Sequence, residues 1–592
     1  MASPRTVDRI DVSLRVAGVL SIAGALAFRR LGDFDLPWHL AFGRAIVETR
    51  SIPRIDDFAY THRPIQYAEF VSDLLLYGIV RFGGLLGLQI FSALCAVAVL
   101  ALLWALTRRY AGVAPLVLAV ALAAMNAWIL ARPASISFVL MAAFLLFIDG
   151  HRSAPTPREA RRWLAALVPL QLLWVNVHGF SVLGLALLGG YAAYRVAARA
   201  AQGRLPALLP REDGSDAAFT VGVALAGALV SMVNLAGPLL LLGPIRTESD
   251  FHTITEWATP TFGFLFRTEP AVGVMAVLLL LAFVFGREPR SLRRLPSAFD
   301  LMLCLGAVAL GASAVRLLAL AAVLTAPFIA RRLAWAVPPT TPTRLAGALA
   351  IPLAGAYMVL RPVTSLGVGF EPSHFPEGCV QYIRSAQPRG HMWNFLPFGG
   401  YLIWRLYPEY RVLVDGRSAW VHDPALLRRV VQSSNDPAAF QSLARDFDMQ
   451  FAVSRAAEGE FFGNGVASSP DWQMVYWDDV GAVYVRRDGP NAPLAAKGYS
   501  LFRHLTPPGQ ILTWAMTRPK LADAISHDAA LAVAQAPQSP RAAFADACAG
   551  IALRDERRVA AAFSRLAALV PGNPALAILQ SAWLQASGTP RP

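Results

Sequence analysis

The sequence predicts a mainly α-helical, polytopic membrane protein of about eleven transmembrane helices. A small extracytoplasmic α/β domain and a helical, repeat-like tail are predicted to follow. Three observations support this fold class. Of 592 residues, 55% are hydrophobic and only 16% charged, against about 25% charged residues in soluble domains. Arginines gather in alternate loops between the apolar runs. After residue 361 the long apolar runs give way to short helical patterns and β-branched stretches.

A helix crosses a bilayer with about 20 apolar residues, fewer where neighbours pack around it. Spans are predicted near 12–28, 84–107, 113–130, 134–149, 163–177, 180–197, 217–236, 270–286, 297–314, 316–333 and 344–360. With the first residues inside, the cytoplasmic loops hold Arg108 and Arg109, then Arg152, Arg158, Arg161 and Arg162. Arg195, Arg199, Arg204 and Arg211 follow, then Arg287, Arg290, Arg293 and Arg294, then Arg331, Arg332 and Arg344. The short loops opposite hold little beyond Arg132, Arg246, Arg267 and Arg316. This imbalance predicts a multi-pass membrane protein with its N-terminus in the cytoplasm and everything after residue 361 outside. Arg29, Arg30, Arg44, Arg50, Arg54 and Arg63 break the pattern in the first outer loop. A long folded loop escapes the charge rule, and arginines there suit an anionic substrate. No small-x-small cleavage site follows 16–28, which reads as a retained helix.

The same arginine clusters account for the net charge of +14. No basic face is interleaved with stacking aromatics, so a nucleic-acid partner is not expected. Cys95, Cys304, Cys379 and Cys548 are too scattered for a metal site or a disulfide framework.

Four domains are expected: a membrane domain over 1–360 with its first outer loop at 29–83, an α/β domain over 361–500, a linker over 501–520 and a tail over 521–592. Strands are expected at 412–414, 451–454, 472–476 and 480–485. In the tail, Pro537 and Pro571 are 34 residues apart, as are Pro540 and Pro574. That period resembles one and a half tetratricopeptide repeats, which need a neighbour to be stable.

The polar residues of the membrane half fall at span ends, on the side opposite the arginine belt. Asp33, Asp35, Trp38 and His39 lie where the first helix leaves the bilayer. Two carboxylates there are costly to bury and unnecessary for anchoring. One of them suits a general base taking a proton from an acceptor hydroxyl, with Trp38 and His39 shaping the pocket. Asp56 and Asp57 follow in the same loop, then an apolar helical pattern over 67–82 that suits an interfacial helix and carries Glu69. Asp57 is read as a turn cap or a substrate contact. Gly179 breaks a long apolar run and leaves Asn176 and His178 at the outer surface. Asn234, Glu256 and Trp257 belong to the next outer loop. Arg132 and Arg316 stand at span starts, where a guanidinium binds two phosphate oxygens at once or merely snorkels. Asp415-Gly416-Arg417 reads as a turn that fixes the outer domain.

Taken in order, Asp33-x-Asp35-Leu36-x-Trp38-His39-Leu40, Pro53-Arg54-x-Asp56-x-Phe58-x-Tyr60-Thr61, Asn176-x-His178-Gly179, Glu256-Trp257, Gly399-Gly400-Tyr401-Leu402-Ile403-Trp404 and Asp415-Gly416-Arg417 resemble a broad bacterial group of polytopic proteins. That group is similar to the GT-C superfamily of membrane glycosyltransferases, and the likeness covers roughly residues 10–490. The resemblance implies an enzyme that moves a sugar from a polyprenyl-phosphate donor to an envelope lipid, glycan or protein on the outer face. It implies Asp35 as the base, with Asp33 second. Substrate contacts then fall to His39, Trp38, Asp57, Glu69, Arg132, Asn176, His178, Glu256, Trp257 and Arg316. Leu36 and Pro37 depart from the superfamily pattern, leaving the base and any dependence on magnesium or manganese open. A transporter or flippase for a lipid-linked solute, and a scaffold recruiting a protein partner through its tail, stand as alternatives. Span-end polar groups and the lack of an internal repeat weigh against the transporter.

Overall fold

A computed structural model describes residues 4–66, 69–201, 214–242, 255–288, 296–361, 365–456 and 464–588. Tyr67, Arg204, Arg211, Arg246, Arg290, Arg293 and Arg294 lie outside the described residues. The chain divides into two compact units: residues 1–52 with 66–370, and residues 53–65 with 371–592.

The first unit is helical throughout: α1 Pro4–Ala27, α2 Leu36–Thr49, α3 Phe70–Thr107, α4 Ala114–Met125, α5 Pro133–Ser153, α6 Pro157–Ala165, α7 Leu167–Val175, α8 Ser181–Ala201, α9 Gly214–Val230, α10 Pro270–Val284, α11 Ala298–Ser313, α12 Leu318–Leu333 and α13 Thr341–Leu360. Proline starts α5, α6 and α10, where its fixed φ fits and its missing N–H costs nothing. Among the described residues, four helices are long and apolar enough to cross a membrane: α3 with its extension to Tyr110, α5, α8 and α13. The chain is thus a mainly helical, multi-pass membrane protein. The helical stretch expected over 67–82 begins at Phe70 and turns at Gly84, whose φ of 61° interrupts the ladder before α3 continues. The run at 163–177 is two short helices, α6 and α7, meeting at Ala166. At the centre stands α4, buried along almost its whole length and packed by α13, α12 and α10.

The second unit holds α14 Glu377–Ala386, β1 His391–Asn394, α15 Gly399–Leu406, α16 Pro424–Ser433, α17 Pro437–Asp446, β2 Met449–Arg455, β3 Trp472–Trp477 and β4 Gly481–Arg486. The sheet runs β1-β2-β4-β3, with β1 parallel to β2 and the other pairs antiparallel. The strand expected at 412–414 does not form. Asn394 takes its place: Oδ1 accepts from the N–H of Leu413 (2.9 Å), and Nδ2 donates to the Val414 carbonyl (2.9 Å). A side-chain amide therefore satisfies the backbone a neighbouring strand would have paired. Val412 instead makes a single bridge to Ala59.

The stretch read as a linker contains α18, Pro508–Thr517. Four helices follow: α19 Ala522–Gln535, α20 Pro540–Leu553, α21 Glu556–Leu569 and α22 Ala575–Ser587. Their starts recur after 34 residues (Ala522, Glu556) and 35 (Pro540, Ala575). They share one apolar core with the sheet. Asp528, fully buried, accepts the N–H groups of Ser500, Leu501 and Phe502, while Tyr499 donates to Gln535 and Gln535 to the Val475 carbonyl.

Residues 53–65 join this unit through charge. Arg417 Nη1 lies 2.8 Å from Asp56 Oδ1, and its Nη2 lies 2.7 Å from Asp415 Oδ2. All three are buried. Burial alone would raise the Asp415 carboxyl, but Arg417 and His422 hold it well below the usual carboxylate range. Asp415 therefore adds stability that is complete above its unfolded value of about 4 and is lost as pH falls below it. Arg417→Ala, which strands two buried carboxylates, should cost about 3–5 kcal/mol. Thermal unfolding of the full chain, followed by fluorescence, measures this, and the cost should shrink as the pH is lowered.

Candidate active site

A short turn between α1 and α2 supplies the first two acids. Asp33 Oδ1 accepts the N–H of Asp35 at 2.8 Å, and Asp33 Oδ2 lies 3.3 Å from Arg132 Nη1. Arg132 is 5% exposed and is held extended before Pro133 at the head of α5. The same Nη1 lies 3.7 Å from Glu256 Oε1. One buried guanidinium thus ties together the turn, the head of α5 and the single helical turn Thr255–Trp257. Asp35 is only half-buried, and its Oδ1 accepts from Trp38 Nε1 at 3.2 Å. Burial pushes its carboxyl well above the ordinary range, Asp33 and Glu256 push the same way, and Arg132 and the Trp38 bond oppose.

Beside these charges lies a row of neutral groups. Gly43 lets α2 sit directly on α3, because a Cβ there would fall 2.2 Å from the Asp73 carbonyl oxygen. One turn earlier, His39 Nδ1 is 2.6 Å from Asp73 Oδ1, with both side chains buried. Glu69, which caps α3, accepts the Gly179 N–H on Oε1 at 3.2 Å. Its Oε1 stands 3.8 Å from His178 Nε2, and its Oε2 stands 4.0 Å from His39 Nε2. His178 Nδ1 accepts the Phe180 N–H at 3.2 Å and lies 3.1 Å from Ser137 Oγ, which itself accepts from Trp174 Nε1 at 2.9 Å. The lone pair is therefore on Nδ1, and the proton of His178 is on Nε2, facing Glu69. Burial and nearby Arg132 push the imidazole of His39 far down; burial, Arg316, Arg132 and His39 do so for His178. Glu69 is pushed up to about 8, first by burial.

Arg316 completes the group. Its guanidinium faces Trp257 at 4.6 Å and Phe180 at 5.4 Å from the ring centroids. No carboxylate lies within ion-pair distance of it among the described residues, and its Nε donates to nothing. A run of contacts joins it to the acids, through Trp257, its neighbour Glu256, Arg132 and Asp33 to Asp35.

Asn176 and His178 are buried rather than exposed at a surface. The Asn176 amide donates to the carbonyls of Leu172 and Val233 and straps α7 to the end of α9, while Asn234 closes its own turn. Asp57 belongs to the other unit, side chain exposed and 3.2 Å from His62. The turn cap there is Asp56, which accepts the N–H groups of Phe58 and Ala59. Asp73, Ser137 and Phe180 join the cluster without having been singled out. Asp73 stands four residues after Glu69 on a helix whose next charges are two turns away, and a lone carboxylate in an apolar run was its signal. No three His, Cys, Asp or Glu side chains converge on a cation position among the described residues. Arg132 bridges Asp33 and Glu256, so a guanidinium stands between those two carboxylates.

No family model and no curated protein sequence matches the chain. Several solved structures do resemble it. The Archaeoglobus fulgidus oligosaccharyltransferase, tethered with an acceptor peptide, superposes with a TM-score of 0.49 at 12% identity over 75% of this chain and 69% of that one. ArnT from Cupriavidus metallidurans, bound to undecaprenyl phosphate, gives 0.44 at 14% over 80% and 97%. The mycobacterial arabinofuranosyltransferase AftD gives 0.49 at 12% over 82% of this chain and 40% of that one. The likeness is to GT-C glycosyltransferases. At such identities and scores it describes an arrangement of helices; the chemistry rests on the side chains above.

Trp38→Phe removes the one side-chain bond that favours the charged form of Asp35. The acid limb of any activity that depends on Asp35 should move to higher pH, by about one pH unit or less. A pH profile of turnover, wild type against variant, reads this directly.

Proposed function

We propose that the protein is an integral membrane glycosyltransferase that moves a sugar from a polyprenyl-phosphate-linked donor to an envelope lipid, glycan or protein on the outer face of the cytoplasmic membrane. The observation that carries this reading is an aromatic-flanked cation without a carboxylate partner, Arg316, joined through Trp257, Glu256 and Arg132 to a half-buried acid, Asp35.

In this reading Asp35 is the catalytic base. Its raised carboxyl is matched to proton abstraction near neutral pH. The acceptor hydroxyl gives its proton to an Asp35 oxygen, and its oxygen attacks the anomeric carbon. The bond from that carbon to the phosphate oxygen breaks, and the lipid phosphate leaves with the electron pair. Arg316 faces the charge that develops there, flanked by the Trp257 and Phe180 rings. Asp33 and Arg132 are positioning groups: the Asp33 carboxylate fixes the Asp35 backbone, and Arg132 fixes Asp33. Glu256 steadies the far side of Arg132.

Asp35→Asn keeps the bond from Trp38 but cannot take the proton, and should lower transfer by about 10²–10⁴-fold. Wild-type rate should rise with pH along an acid limb above the ordinary carboxylate value of about 4. The measurement is sugar transfer by the full chain in lipid nanodiscs, with mass spectrometry of lipid-linked sugars and envelope glycans from a deletion strain carrying each variant. Wild-type glycan levels in the Asp35→Asn strain would overturn the base assignment. Arg316→Ala should lower kcat, because the charge it faces develops in the transition state, and should also raise KM for the lipid donor.

A further inference from the structure

The row of neutral groups beside the acids has a use that the transfer step leaves unfilled. Glu69 Oε2, His39 Nε2 and His178 Nε2 carry no hydrogen bond among the described residues, although His39 is 3% and His178 8% exposed. The gaps of 3.8 and 4.0 Å are too long for direct bonds. One oxygen set to the side of each gap can stand at about 2.8 Å from both of its atoms. We propose that Glu69, His39 and His178 form a clamp for two neighbouring hydroxyls of the donor's sugar, and that the clamp selects a neutral sugar. This rests on the reading of Arg316 as the phosphate site.

The hydrogen-bond roles close. His178 has its proton on Nε2, because Nδ1 accepts the Phe180 N–H. It donates to a first hydroxyl, which donates in turn to Glu69 Oε1. Glu69, pushed up to about 8 by burial, keeps a proton at neutral pH. It donates from Oε2 to a second hydroxyl. His39 binds Asp73 through Nδ1, so Nε2 offers a lone pair to that second hydroxyl. Two hydroxyls thus complete two donor–acceptor pairs, and a buried polar set left incomplete would discriminate strongly against a sugar lacking them. An ammonium group has no lone pair to accept from the His178 N–H or the Glu69 O–H, and Arg316 and Arg132 stand close by, so it would be disfavoured. The clamp adjoins the phosphate cation: the His178 ring stands edge-on to Phe180 at 4.4 Å, and Phe180 faces Arg316 at 5.4 Å. That is where a sugar bonded directly to the phosphate would sit.

The test uses the purified full chain in nanodiscs and calorimetric binding of two kinds of probe. One is undecaprenyl phosphate. The other is a set of undecaprenyl-phosphate sugars comprising mannose, glucose, galactose, arabinose and 4-amino-arabinose. We expect at least one neutral sugar to bind tenfold or more tightly than the sugar-free lipid. Glu69→Ala should abolish that preference and leave the affinity for undecaprenyl phosphate unchanged, which also shows that the variant is folded. Glu69→Gln, which stays neutral and keeps a donor, should retain most of it. The clamp is overturned if no neutral sugar is preferred, if 4-amino-arabinose alone is, or if Glu69→Ala keeps the preference. Failure of undecaprenyl phosphate itself to bind would instead remove the phosphate site, and the clamp with it.

Discussion

A guanidinium that cannot reach water must find carboxylates, and Arg132 organises the first unit around that requirement. It sits at the head of α5, extended before Pro133, and draws in Asp33 from one connection and Glu256 from another. Those connections are far apart in sequence, one a short turn and the other carrying Glu256 on a single helical turn. Burial makes an isolated charge so unfavourable that the pairing is effectively compulsory. Asp35 gains its position from this indirectly, since its N–H is held by the carboxylate that Arg132 holds.

Two chemically different regions result, side by side. One is ionic: Asp33, Arg132, Glu256 and, further along, Arg316. The other is a row of donors and acceptors: Glu69, its carboxyl pushed up by burial, and two imidazoles pushed down by burial and by the arginines themselves. The arginines therefore act twice, on an anion directly and on the histidines through the field. A phosphate ester of a sugar has the same division, an anionic end and a hydroxylated end.

Much of this was legible in the sequence, for reasons that differ by residue. Asp33, Asp35, Arg132 and Arg316 stood out because charges at span ends are conspicuous against long apolar runs. Asp73 was passed over although a lone carboxylate inside such a run is a signal of the same kind, and nothing local marks the Gly43 contact that places His39 against it. Neighbours were confused where one carboxylate differs from the next only by tertiary partner: Asp56 is buried with Arg417 while Asp57 is exposed. The strand expected at 412–414 has the right residues, but Asn394 occupies its backbone, an event 18 residues upstream that periodicity cannot show. The proline period of the tail was readable, and it recurs in the helix starts. The lock that ties the tail to the sheet, through Asp528 and Gln535, depends on contacts between distant segments.

The excursion of residues 53–65 into the second unit has a consequence for biosynthesis. Asp56 leaves the ribosome some 360 residues before Arg417, its counter-ion. Until that arginine is made, the nascent loop has nothing to dock against, and the later domain lacks a piece of its own interior. Folding of that domain is thus tied to a segment threaded out between the earliest helices, a long-range closure of the kind that slows folding. A gene fragment encoding only the C-terminal portion would make a polypeptide missing part of its hydrophobic and ionic centre.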